Sequence, residues 1–94
     1  MNTMTFDEYR QTQLRKGFDE VTERTYGPNA TADLHTHPFS VEALVVKGEM
    51  WLMCGDETRH LKEGDTFAME REVPHSERYG SDGAIYWAAR KHRA

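Results

Sequence analysis

Residues 31–48 read Thr31-Ala32-Asp33-Leu34-His35-Thr36-His37-Pro38-Phe39-Ser40-Val41-Glu42-Ala43-Leu44-Val45-Val46-Lys47-Gly48, and this stretch decides the fold. In an extended chain, side chains alternate between faces, so His35 and His37 share one face with a rise of about 6–7 Å between them. Two imidazoles on one face can converge on a single ion. Pro38 has no backbone donor, so it ends the strand and opens a loop. The run from Val41 to Lys47, rich in apolar residues, resumes as a second strand.

Working outward, the same kind of segment recurs. Short runs rich in Val, Thr, Tyr, Phe and Trp predict strands at residues 18–26, 31–37, 41–47, 49–54, 57–61, 66–69, 73–79 and 84–90. Turn residues separate them: Gly27-Pro28-Asn29, Gly55-Asp56 and Lys62-Glu63-Gly64-Asp65. Lys47-Gly48-Glu49 leaves so little room between two runs that it reads as a hairpin. Many short strands with closely spaced turns predict a sandwich or barrel. Before them, Thr5-Phe6-Asp7-Glu8 has the form of a helix capping box. Phe6, Tyr9 and Leu14 then make an apolar stripe, and Gly17 is a plausible stop. The expected organisation is a helical segment over residues 1–17, covering a face or end of a sheet, and one barrel domain over residues 18–94.

A second stretch carries a third histidine: Gly64-Asp65-Thr66-Phe67-Ala68-Met69-Glu70-Arg71-Glu72-Val73-Pro74-His75. A neighbouring strand would bring His75 opposite the first pair. With His35-Thr36-His37, Glu42 and Gly48, this stretch resembles the two motifs of the cupin superfamily. The resemblance covers residues 27 to 79 and implies an antiparallel β-barrel of jelly-roll type that binds metal inside, on His35, His37 and His75. Three imidazoles suit one divalent transition metal ion, whether Zn, Fe, Ni, Cu or Mn. Three protein ligands leave open positions for water or substrate. Cupins with such ligands include dioxygenases, isomerases and decarboxylases, and others are non-catalytic ligand-binding or regulatory modules. The resemblance therefore implies either a metal-dependent enzyme acting on a small molecule inside the barrel or a binding module.

The sequence departs from the family pattern at points that matter. Val41 stands where the first motif has its Glu, and Glu42 comes one residue late; a shift of one turns a strand residue to the opposite face unless the loop at Pro38 to Ser40 or a bulge resets the register, so Glu42 stays open as a fourth ligand beside Glu77. Glu70-Arg71-Glu72 replaces the P-x-G of the second motif and reads as an exposed turn, and Tyr79 replaces its Asn. Glu77, two residues after His75, shares its face. It is the candidate catalytic residue, as general base, fourth ligand or orienter of a ligand. Tyr79 reads as a packing residue with a hydrogen-bonded hydroxyl, and His60, beside the apolar Leu61, points outward. A pocket lined by residues such as Phe39, Trp51, Met53, Phe67 and Trp87 would hold the ligand.

Composition narrows the partners. The chain has 94 residues, 30% charged and 37% hydrophobic, with a formal net charge of −4. That balance argues against a nucleic-acid partner. No apolar run is long enough to span a membrane. The first residues lack a secretion signal, and the single Cys54 forms no internal disulfide and reads as a buried apolar residue, so the expected location is cytoplasmic. Arg90-Lys91-His92-Arg93 reads as a solvated basic tail. The apolar runs Met50–Cys54 and Ile85–Trp87 suggest strands covered on both faces, and hence a homodimer.

Overall fold

A computed structural model describes residues 4–92. One helix precedes six strands: α1 Phe6–Arg15, β1 Glu20–Tyr26, β2 Thr31–His35, β3 Ser40–Cys54, β4 Glu57–Lys62, β5 Thr66–Met69 and β6 His75–Lys91. All strand pairs are antiparallel.

Two long strands organise the barrel. The first half of β3 lies between β5 and the second half of β6, and β1 pairs that half of β6 on its other side. The second half of β3 lies between β4 and the first half of β6, which pairs β2 on its far side. β3 and β6 thus each pass from one sheet to the other, the wrapping that makes a jelly roll. Two expected breaks are therefore bends. Lys47-Gly48-Glu49 is not a hairpin, and the strands expected at 73–79 and 84–90 are one strand that begins at His75. Gly48 (φ 76°) and Gly83 (φ 73°) adopt left-handed backbone where the two strands cross over together. A Cβ on Gly48 would run into the Gly83 carbonyl, so the absence of a side chain permits the bend. At the other end, β2 stops at His35 and leaves His37 in the following loop.

The core lies between the sheets, with Ala43, Val45, Met50, Leu52, Leu61, Phe67, Tyr79, Tyr86 and Ala88 buried together. Alternation explains the membership: β6 sends Tyr86 and Ala88 inward and Trp87 outward. Helix α1 covers that outward face. Its capping box is present, with Glu8 N–H donating to Thr5 Oγ1 at 3.1 Å and Thr5 N–H donating to Glu8 Oε1 at 2.8 Å. Phe6 meets the Trp87 ring edge-on at 5.6 Å, and Tyr9 lies 5.7 Å from it. The Tyr9 hydroxyl donates to the Glu42 carbonyl at 3.1 Å. Gln13, not Leu14, completes the buried stripe, because the spacing 6, 9, 13 keeps one face of a 3.6-residue helix. The apolar character of Trp87 is thus satisfied within the chain by α1. Trp51 is likewise covered on the outer surface by His60, stacked at 4.5 Å, and by the Arg78 guanidinium at 4.2 Å. No helix is long and apolar enough to cross a membrane, among the described residues.

The expected basic tail is mostly strand. Arg90 and Lys91 close β6 and pair with Val41 and Ser40 of β3. His92 N–H donates to Asp19 Oδ2 at 2.7 Å, and its ring meets Glu20 Oε1 at 2.9 Å. Arg93 lies outside the described residues.

Candidate metal centre

The site begins with strand register. β2 and β6 pair so that His35 sits directly opposite His75. His37 lies two residues beyond, and its carbonyl accepts the Glu72 N–H at 2.7 Å, which ties the histidine loop to the turn before β6. Glu72 occupies left-handed backbone at φ 61°, at the position where the family motif has Gly. The expected exposed turn is therefore a turn, but Arg71 folds over it and donates to the Pro38, Lys91 and His92 carbonyls at 3.3–3.5 Å.

The three rings converge. Centroids are 4.2 Å apart for His35 and His75, 4.8 Å for His35 and His37, and 5.0 Å for His37 and His75. Their candidate ligand atoms all lie within 4.8 Å of one another, a group placed to hold an ion. Local hydrogen bonds set the tautomers. His35 Nδ1 lies 2.6 Å from the Asp33 carbonyl and His75 Nδ1 lies 2.9 Å from the Val73 carbonyl. A carbonyl only accepts, so both Nδ1 atoms carry hydrogen and each ring turns its Nε2 to the site. Burial, followed by the neighbouring His35 and His75, lowers the His37 pKa and favours its neutral, ligating form.

Glu77 completes the cluster from the face it shares with His75. Its Oε2 lies 3.1 Å from His75 Nε2 and 3.5 Å from His35 Nε2. Its Oε1 accepts the Tyr79 hydroxyl at 2.7 Å. Tyr79 is stacked on Tyr26 at 4.1 Å and 6°. Burial, then Tyr86 and Glu77, pushes the Tyr79 phenol well above its ordinary range, so it remains a donor. The donor set is informative: in the neutral ring with hydrogen on Nδ1, each imidazole Nε2 would face a carboxylate oxygen lone pair to lone pair. Only a proton or a cation relieves that arrangement, and three neutral imidazoles with a carboxylate suit a divalent transition metal.

Glu42 is elsewhere. Its carboxylate takes Lys16 Nζ at 2.6 Å on the outer surface, whereas Val41 lines the cavity beside the histidines. The one-residue offset in the sequence thus places the carboxylate outside, and no bulge restores it between Ser40 and Val45.

The cavity in front of the histidines has a volume of about 130 Å³. Phe39 and Phe67 line it with Val41 and Met69, but Trp51, Met53 and Trp87 do not. Arg24 and Arg90 also line it. Arg24 was not singled out in the sequence and Arg90 was read only as part of a solvated basic tail, although Arg90 continues the inward row of Tyr86 and Ala88 on an expected strand. That parity was the available signal, and the basic run Arg90–Arg93 masked it.

Comparison with known proteins places this architecture. No curated protein matches the chain. Among solved structures, KdgF from Halomonas sp. superposes with a TM-score of 0.70 at 19% identity, over 79% of this chain and 68% of that one. The polyketide cyclase RemF from Streptomyces resistomycificus gives 0.69 at 24%, over 85% and 60%. An HTH_3 family transcriptional regulator from Vibrio cholerae gives 0.68 at 14%, over 80% and 43%. Identities this low establish the shared barrel. Residues 22–88 match the family model described as a cupin domain, and with the barrel and its three histidines already in view, the chain belongs to the cupin family.

Proposed function

We propose that this chain binds one divalent transition metal ion through His35, His37 and His75, with Glu77 beside it, and acts as an enzyme on a small organic molecule held in the cavity. The observation that carries the reading is the convergence of the three histidine ligand atoms beside the Glu77 carboxylate. A metal bound there would supply Lewis-acid polarisation of a ligand oxygen or acidify a water.

The chain's own residues do the rest. His35 and His75 are held in the ligating tautomer by backbone carbonyls. Glu77 acts as proton acceptor: Tyr79 anchors one carboxylate oxygen and leaves the other facing the histidines, where a proton from an acidic C–H or O–H of the ligand would arrive. The apolar wall of Phe39, Val41, Phe67 and Met69 excludes water from the organic body. A cavity of about 130 Å³ compares with the roughly 150 Å³ that holds a benzene ring, so the buried part of the ligand is small.

Elemental analysis of protein purified without an affinity tag or chelator tests the reading, alongside a His35→Ala, His75→Ala double variant. About one transition metal per chain, lost in the double variant, supports it. No metal, and none taken up on reconstitution, overturns it.

A non-catalytic sensor module is the second reading, favoured by the occurrence of the same barrel in the Vibrio cholerae transcriptional regulator. Oxygen uptake by iron-loaded protein given phenols or diketones separates the two. Turnover supports the enzyme, and saturable binding without turnover supports the module.

A further inference from the structure

The inward face of β6 ends in a group that the metal reading does not use. Arg90 follows Tyr86 and Ala88 on the row that lines the cavity, and its guanidinium lies over the Phe39 ring at 4.9 Å. Arg90 Nε is buried and has no hydrogen-bond partner. A buried, unpaired guanidinium N–H is costly. The nearest carboxylate does not meet that need, since Glu20 Oε1 lies 3.6 Å from Arg90 Nη1 and is already engaged by His92 at 2.9 Å. Arg24 adds a second positive charge at the rim, where its Nη2 donates to the Tyr26 hydroxyl at 3.2 Å.

We propose that the cavity takes a small organic carboxylate, with the Nε side of Arg90 gripping the carboxylate, the rest of the molecule against Phe39, Val41 and Phe67, and its reacting end toward the histidines. This deepens the functional reading above and rests on its assignment of the cavity as the ligand site. The chemistry selects the class. The side edge of a guanidinium, Nε–H with its neighbouring Nη–H, matches the two oxygens of a carboxylate in one plane. Apolar walls next to it require an organic body rather than a bare inorganic ion. A single anionic charge suits the metal-free site because Glu77 already lines the cavity and Glu20 lies 3.6 Å from Arg90 Nη1. Without metal, a dianion such as phosphate meets those two carboxylates with no cationic side chain besides Arg24, Arg90 and the three histidines lining the cavity, among the described residues.

The test uses benzoate, its uncharged isostere benzamide, and inorganic phosphate as probes. Binding is followed by NMR, on the Arg90 Nε–Hε resonance in the wild type and on the backbone amide resonances of the cavity strands in the wild type and the variants, in zinc-loaded protein and in protein stripped with EDTA, with metal content measured in each sample. Benzoate is expected to saturate and shift the Arg90 resonance in both forms, with benzamide and phosphate at least tenfold weaker. Arg90→Gln is expected to weaken benzoate at least tenfold and leave benzamide unchanged. Should that variant fail to fold, Arg90→Lys, which keeps the charge but not the fork, is expected to lose affinity severalfold. Equal binding of benzoate and benzamide, tighter binding of phosphate, a resonance unmoved by benzoate, or benzoate affinity that survives the Arg90 substitution overturns the proposal. The two readings fail separately. Selective benzoate binding by a chain that takes up no metal removes the metal reading and keeps the carboxylate. Stoichiometric metal without carboxylate selectivity does the reverse.

Discussion

Replacing Glu77 by Gln is expected to move the metal-free and metal-bound protein in opposite directions. The side chain keeps its shape, and a Gln Oε1 still accepts the Tyr79 hydroxyl, now 2.7 Å from Glu77 Oε1. The other terminus changes from an acceptor to an NH₂ donor, at a position 3.1 Å from His75 Nε2 and 3.5 Å from His35 Nε2. With the rings neutral, a lone-pair conflict becomes one good hydrogen bond and one long one. A net hydrogen bond contributes about 1 kcal/mol. In a domain of this size each such increment shifts Tm by roughly 4–8 °C. The metal-free variant should therefore melt about 4–8 °C above the metal-free wild type. Metal affinity should fall by about 10–100-fold, the range for losing a carboxylate that supports a site. Calorimetric melts in EDTA at pH 8 and chelator competition for zinc read the two effects. A metal-free variant less stable than wild type, or one with undiminished zinc affinity, would refute the placement of Glu77 among the ligating nitrogens.

Other consequences are simpler. Glu42→Gln should leave metal content and zinc affinity unchanged, because that carboxylate is on the outer surface with Lys16; a loss of metal would return Glu42 to the site. Gly48→Ala should destabilise sharply, since left-handed backbone costs about 1–2 kcal/mol for a side-chain-bearing residue and overpacking against the Gly83 carbonyl adds about 1–3 kcal/mol; an unchanged urea midpoint would contradict the paired bend of β3 and β6. Trp87→Ala, which removes the ring that Phe6 and Tyr9 pack against, should cost about 3–5 kcal/mol and speed hydrogen exchange throughout α1. Stripping metal from loaded protein should lower stability by about 2.7 kcal/mol relative to free metal at a hundredfold excess over its Kd, and identical melts with and without EDTA would count against an ion at this site.

Much of the barrel and of its centre was legible in the chain itself, because both obey a period of two. The spacing of His75 and Glu77 put them on one face, and the one-residue offset at Glu42 raised the question that the register of β3 then answered, whereas His37 lies past the end of β2 and is placed by its loop. The capping box at Thr5 and the turns at Gly55 and Gly64 were local signals that needed no tertiary context. What the tertiary structure decided lies where distant segments meet. Gly48 looked like a hairpin because glycine marks both reversals and bends, and only its partner Gly83, far along the chain, distinguishes them. Which face of the sheet α1 covers, with Phe6 and Tyr9 against Trp87, is likewise set only by the tertiary structure. The approach of Glu77 to His35 and the seating of Arg90 at the cavity depend on the registers of β2 with β6 and of β6 with β3. Alternation orders side chains along one strand, but only pairing between strands determines which of them meet.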